Sequence, residues 1–335
     1  MSCSGGAFVR TARIGDIDAL YDLAVSGGNG LTNLPPDRDA LAAKLSASVH
    51  AVVSAEAREG GAAIMLIVES GGRVVGTSCV FARVGATWPF YSYRLTRQAN
   101  RSLAVARLQA QTLLNLANDF DGEAEVGGLF IDPVARGAAL GALAARARYL
   151  LIATHREWFG RRVIAELRGW QDADGRSPVW EGIGRHFYDM DFHEADRTGA
   201  LSGNQFIADL GPRYPLYVSL LPPAARAALG RPHDDGRAAY DMLAAEGFAA
   251  GDYVDIFDGG PTVVADIDNV RTVRQSRGVA VAGVAEGGAC MLAATGHGAA
   301  FRVARGHVTP DGAVDRTLAA TLGVGVGDTI TVVPV

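Results

Sequence analysis

Cysteine is scarce in this chain: 335 residues carry three, Cys3, Cys79 and Cys290, far apart and with no C-x-x-C pair. That spacing argues against a disulfide framework or a thiolate metal site, and reads as free thiols in a reducing compartment. Long apolar runs are missing as well. None approaches the roughly 18 residues of a membrane span, and the opening MSCSGGAFVRTARIGDID lacks the basic-then-apolar order of a signal peptide. Nor is there an excess of positive charge. A net charge of −5 gives no reason to expect binding to nucleic acid or to an acidic membrane. What remains, with 49% hydrophobic and 20% charged residues, is the composition of a cytoplasmic globular enzyme, long enough for a large body and a smaller appendage.

Several catalytic signatures are absent too. No G-x-S-x-G elbow supports a serine hydrolase. Gly28-Asn29-Gly30 does not open a helix after a strand, as a dinucleotide-binding G-x-G-x-x-G would. His186 and His193 flank Asp191, but seven residues apart they match neither the i,i+4 pair of a zinc helix nor a finger. The expectation is no metal and no internal repeat.

What is present is a succession of strands and helices. VRTARIGDIDALYDLAV reads as a strand then a helix capped by Asp16, and a long Gly/Asn/Pro loop, Ser26–Arg38, precedes helical spacing over Asp39–Ser48. Loops of that length in compact domains are often functional. Ile64–Glu69 and Val74–Arg83 form a predicted hairpin across Ser70-Gly71-Gly72-Arg73. Strands are also expected at Val163–Leu167, Phe206–Ala208, Leu216–Leu220 and Tyr253–Phe257, and short helices at Pro223–Gly230 and Gly236–Gly247. After Ser276 the sequence turns small, β-branched and Gly-rich, which predicts a compact β subdomain over 278–335 appended to a mixed body over 1–277.

The most informative stretch is EVGGLFIDPVARGAALGALAARARY, Glu125–Tyr149. A short strand, Leu129–Ile131, meets a Pro133 turn, then Arg136-Gly137-Ala138-Ala139-Leu140-Gly141, then a long amphipathic helix. Small residues ahead of a helix leave its first N–H groups uncovered, and with the helix dipole these suit a phosphate or pyrophosphate. An ordinary strand-to-helix turn has the same composition, and the loop alone does not separate the two readings.

Seven blocks in order carry a resemblance over Ala12–Arg277: SGGNGLTNLPPDR, PFYSYR, LFIDP, AELRG, SPVWEGIGRHFYDMDF, FIADLGPRYPLY and YVDIFDGGPT. They resemble the arginine N-succinyltransferase family. The resemblance implies an α+β fold: a GNAT-like acyl-CoA N-acyltransferase body of mixed sheet and flanking helices, with a small C-terminal β-barrel-like subdomain. It implies succinyl transfer from succinyl-CoA to the α-amine of L-arginine in arginine catabolism, with succinyl-CoA as cosubstrate and no tightly bound cofactor. It further implies that Leu129 meets succinyl-CoA through its backbone and that His233 is the proton donor. Read locally, His233 in GRPHDD is a loop histidine with acidic neighbours. Arg136, Gly137, Ala139 and Gly141 match the family's R-x-x-G/A-x-G/A loop. The chain departs from the family at Gly127-Gly128 (usually Cys-Thr), at Ala139 (usually Gly) and at Asn100 (usually His).

Substrate groups are less determined. Two carboxylates and a guanidinium need partners; Arg94 and Arg168 rank first for the former, ahead of Arg185, and Glu166, Glu181 and Asp258 are candidates for the latter, with a structural salt bridge or a solvated charge as the alternative for each. Tyr91, in the aromatic block Trp88–Tyr93, is expected on a loop lining the arginine side chain, with closing of the core as the alternative for the block. Arg271, Arg274 and Arg277 read as a solvated helix face, with the 3′-phosphate of CoA as the alternative. A homo-oligomer is expected, its interface on the apolar β-rich end, with a heteromer of a related chain as the alternative. Ornithine as acceptor and a non-catalytic partner subunit are the competing functions.

Overall fold

The computed structural model describes residues 6–27, 34–137, 139–192, 194–195, 198–199 and 205–335. Most of the Ser26–Arg38 loop, together with Cys3, Ala138 and His193, lies outside them. Sixteen strands are defined: β1 Phe8–Thr11, β2 Ala63–Ser70, β3 Arg73–Phe81, β4 Ser92–Ser102, β5 Arg107–Ala117, β6 Ala124–Ile131, β7 Arg162–Glu166, β8 Leu216–Tyr217, β9 Ala249–Asp255, β10 Pro261–Asp266, β11 Arg277–Ala280, β12 Gly283–Val284, β13 Ala289–Thr295, β14 Arg302–Val308, β15 Ala313–Val314 and β16 Thr329–Pro334. The fold is mixed α+β with a large mixed sheet, and the chain forms two compact units.

The first unit comprises residues 1–83, 123–163 and 266–335. Its strands run in the antiparallel order β11-β16-β13-β14-β1-β2-β3-β6, with the short parallel pair β12–β15 beside β14. The β2–β3 turn has Gly71 and Gly72 at φ +58° and +73°, the left-handed pair that a two-residue hairpin requires. Helices α1 (Ile17–Gly27) and α2 (Arg38–Ala51) bury Leu20, Leu23, Leu41 and Leu45 with Met65, Ile67, Cys79 and Phe130 in one core. Beyond the short α3 (Ala55–Glu59), the long helix α4 (Leu140–Thr154) is buried almost all round. Even its Arg146 is satisfied internally, donating to Thr272 Oγ1 at 2.9 Å and to the Pro334 carbonyl at 2.8 Å.

Residues 278–335 fall within this first unit. Their strand β14 hydrogen-bonds β1 on one edge and β13 on the other, so among the described pairings these strands extend a sheet and do not close into a barrel. Cys79 is a free buried thiol, pushed up to about 11 by desolvation, whereas Cys290 is disulfide-bonded. The expectation of three free thiols is corrected at Cys290; nothing in the spacing of isolated cysteines foretells a bridge.

The second unit comprises residues 84–122 and 164–265, with antiparallel strands ordered β10-β9-β4-β5-β8. Its core centres on Trp180, fully buried, stacked on Tyr188 and Phe257 at 5.3 and 5.8 Å, with Nε1 donating to the Met190 carbonyl. Two expectations change here. Phe206–Ala208 is helical, within Gln205–Leu210, and the PFYSYR block runs into β4, which buries Tyr93 completely in the core. Both follow from tertiary burial overriding a local reading. No helix of the described residues is long and apolar enough to cross a membrane.

Candidate active site

In the first unit the site is built where β6 leaves the sheet. Between Thr77↔Phe130 and Cys79↔Gly127 the register slips, so β6 spends three residues where β3 spends two. Gly128 sits in this bulge at φ +56°, a left-handed conformation that glycine adopts without a Cβ penalty. The departure from the family at Gly127-Gly128 therefore coincides with the one place in β6 that needs conformational freedom. Leu129, half-buried, follows directly and has no opposite residue on β3 in the ladder.

The chain then turns sharply. Asp132 accepts the Val134 N–H at 3.1 Å over the single turn Pro133–Ala135, and Arg136 and Gly137 are exposed, Gly137 at φ +121°. Ala139 takes the N-cap position at φ +57° with no side-chain cap. A Cβ in this geometry costs about 1 kcal/mol, which the family's glycine would avoid. Leu140 donates back to the Gly137 carbonyl and Leu143 is the first to donate to Ala139. The N–H groups of Gly141 and Ala142, in the first turn of α4, are of the kind a helix leaves unpaired. Among the described residues, apart from chain neighbours and the helix's own backbone, no atom approaches within 4 Å of a Cβ built on Gly137 or Gly141, so the space before them is open. Open donors at the positive end of a 15-residue helix are a receptor for an anion.

A residue that sequence reasoning missed lies on the same strand. Glu125, half-buried in β6 and opposite Phe81, has no hydrogen-bond or ion-pair partner for its carboxyl among the described residues. Its Oε1 lies 3.4 Å from where a Gly127 Cβ would stand, so it shares that face of the strand. Desolvation pushes it up to about 7. The sequence signal was a charge inside an otherwise apolar strand.

In the second unit, His233 begins a single turn, Asp234–Gly236. Its Nδ1 accepts the Asp235 N–H at 3.2 Å, and its own N–H donates to the Arg168 carbonyl at 2.7 Å. With Nδ1 acting as acceptor, the neutral ring carries its proton on Nε2, so the free nitrogen presents a donor. The tyrosine, arginine and histidine candidates are not all brought together. Arg168 touches the His233 segment through its carbonyl, while its exposed guanidinium donates to Gln171. Arg94 is exposed and pairs with Asp119 at 3.4 Å, beside the Tyr253 ring. Tyr91 packs at the edge of the Trp180 core. Arg271, Arg274 and Arg277 are all exposed.

Asp258, a candidate for the guanidinium, is otherwise occupied. It is buried, its Oδ2 accepts Gly169 N–H at 2.8 Å and its Oδ1 accepts Gly260 N–H at 2.9 Å. Asp255 beside it accepts the Phe257 and Asp258 N–H groups; burial and the neighbouring carboxylate push it well above the usual range. Gly259, at φ +69°, and Gly260 let this turn touch Val179 and the Leu167 carbonyl so closely that no Cβ fits. The result is a knot: Asp258 holds Gly169, Gly169 bridges Pro232, and Arg168 holds His233. Glu181 makes an i,i+4 pair with Arg185 and Glu166 accepts from Thr262, both at 3.4 Å. Among the described residues no group of three His, Cys, Asp or Glu side chains is placed to hold a metal ion.

Residues 7–272 match the family described as arginine N-succinyltransferase beta subunit. The chain is 41% identical over 277 residues to the arginine N-succinyltransferase subunit beta of Pseudomonas aeruginosa, covering 82% of this chain and 81% of that one. It is 38% identical over 269 residues to the arginine N-succinyltransferase of Yersinia pestis, covering 80% and 77%. Among solved structures, the arginine/ornithine succinyltransferase subunit AI of Pseudomonas aeruginosa superposes with a TM-score of 0.86 at 31% identity, over 99% of both chains. The chain belongs to the arginine N-succinyltransferase family.

Proposed function

We propose that this chain transfers succinyl from succinyl-CoA to the α-amine of L-arginine, acting in the cytoplasm as a GNAT-like acyl-CoA N-acyltransferase. The observation that carries the reading is the succession in one segment of a strand bulge at Gly128, an open turn and the uncapped start of α4, in a chain of this family. We assign the chemistry to residues 1–277, with 278–335 as an appended β segment.

Each requirement of the reaction finds a group. The pyrophosphate of CoA goes to the N–H groups and charge of Arg136, Gly137, Ala139 and Gly141. The thioester oxygen is held by backbone at Leu129; an oriented donor of this kind is worth about 10²–10³ in rate. The amine must lose a proton before it attacks. A carboxyl near 7 is the side chain best matched to take it at neutral pH, and Glu125 has that affinity and no other partner among the described residues. The amine nitrogen then bonds to the thioester carbon, and the C–S bond breaks. As the C–S bond breaks, His233 Nε2–H gives its proton to the thiolate sulfur, and the second proton that the new amide nitrogen sheds restores the imidazole, so amide, thiol and histidine all end neutral. Arg94 and Arg168 serve the succinyl and amino-acid carboxylates, and Tyr91 the aliphatic part of the acceptor.

Ornithine is the second reading, favoured by the arginine/ornithine name of the 31% identical relative. A free-thiol assay of CoA release from succinyl-CoA, with arginine and ornithine in parallel, tests both. Arginine-dependent release is expected. Silence with both amines, together with intact succinyl-CoA binding, would make the chain a partner subunit.

A further inference from the structure

The hairpin of β4 and β5 is longer than the unit it belongs to can use. Its eleven register pairs run from Ser92↔Ala117 to Ser102↔Arg107. Only the base is paired further: β9 takes Ser92–Arg94, and β8 takes Leu113 and Leu114. From Arg97↔Thr112 outward no other strand among the described residues joins the ribbon, and residues 97–110 are all exposed. Six residues per strand make an arm about 20 Å long. A two-stranded ribbon alone in water is marginally stable at best.

The arm's chemistry is also wrong for solvent. Its turn is Leu103-Ala104-Val105-Ala106, without the Gly, Asn or Asp that such turns favour, and Ala106 accepts φ +47°. Leu103, Val105 and Leu108 stand 81%, 64% and 71% exposed, a contiguous apolar tip. Behind it the stem is basic: residues 92–117 contain four arginines and no Asp, Glu or Lys. Arg94 is paired with Asp119, but Arg97, Arg101 and Arg107 make no ion pair among the described residues. Removing the arm's four charges from the net −5 leaves −9 on the rest of the chain.

We infer that this hairpin is an association arm that docks on a second copy of the chain. The apolar tip supplies the buried anchor, and the unpaired arginines face the acidic body of the partner, a complementarity that steers encounter and fixes orientation. A two-fold arrangement would form each contact twice. This places the interface on β4–β5 and not on the apolar C-terminal strands, and it stands whichever amine the enzyme prefers.

Sedimentation of the purified full chain at micromolar concentration tests it, with the double variants Leu103→Asp/Leu108→Asp and Arg97→Glu/Arg101→Glu alongside. The wild type is expected to sediment as a dimer or higher closed oligomer. The tip variant should become monomeric with unchanged circular dichroism, since its substituted side chains touch solvent. The stem variant should associate at least about tenfold more weakly, and high salt should weaken the wild type in the same direction. A monomeric wild type, including one that associates only when a related chain is added, would overturn the inference. So would a tip variant that keeps the wild-type oligomeric state.

Discussion

Two backbone devices in this molecule make opposite use of the same groups. At the β6–α4 junction the peptide N–H groups are left open: Gly128 bulges, Ala139 caps nothing, and the space before Gly137 and Gly141 is clear of described residues. At the Asp255–Asp258 turn every donor in reach is taken, two by Asp258 and two by Asp255, in a turn so tight that Gly260 has no room for a Cβ. An unpaired donor is a binding site because pairing it has yet to be gained; a saturated one is a scaffold because losing it costs its full desolvation. The first device is open to a ligand, and the second holds His233 at its place.

The comparison is broken most severely by removing the residue that the scaffold holds. His233→Ala should lower turnover at least about a hundredfold with succinyl-CoA binding nearly intact; near-normal turnover would take His233 out of the mechanism. Next comes the scaffold itself. Asp258→Asn sets an NH₂ group against a backbone N–H, and should cost about 2 kcal/mol in denaturant unfolding along with a fall in kcat. Asp255→Asn should be far milder, because the amide imitates the protonated acid. Native Asp255 keeps a proton that the unfolded chain gives up near pH 4, so wild-type stability falls as pH rises from there through the raised native value. The Asn variant should lack that slope, and equal pH profiles for the two proteins would refute a proton retained on native Asp255.

The open device gives smaller effects. Gly141→Glu puts charge and bulk before the free donors and should weaken CoA binding about tenfold by calorimetry, with unfolding unchanged. Unaltered affinity would move the pyrophosphate elsewhere. Ala139→Gly should act in the reverse sense, relieving the left-handed alanine and raising stability by about 1 kcal/mol or less, since glycine also frees the unfolded chain. A loss of stability would mean the strain is not borne at Ala139.

How much of this was legible depended on range. The junction is local: a strand, a proline turn and a run of small residues before an apolar helix are contiguous in sequence, so its elements and its exposed position could be read directly. The bulge could not, because one extra residue in β6 is defined only against β3. Tyr93 and Phe206 were misplaced for the same kind of reason, their local surroundings being reassigned by the Trp180 core. Asp258 read as a free carboxylate because Gly169, its partner 89 residues away in the chain, is invisible from the DGGP motif. Glu125 and the unpaired arm of β4–β5 also needed the fold, one to show a carboxyl without a partner and the other a ribbon without neighbours.

By itself the sequence determined the family, the α+β character and the strand–loop–helix segment, because periodicity, capping and turn chemistry act over a few residues. Tertiary structure alone decided which polar groups are spent and which are left over. Burial and hydrogen bonding are settled between segments far apart in the chain, and that settlement made Asp258 a brace, left the Glu125 carboxyl without a partner among the described residues and made the β4–β5 hairpin an arm.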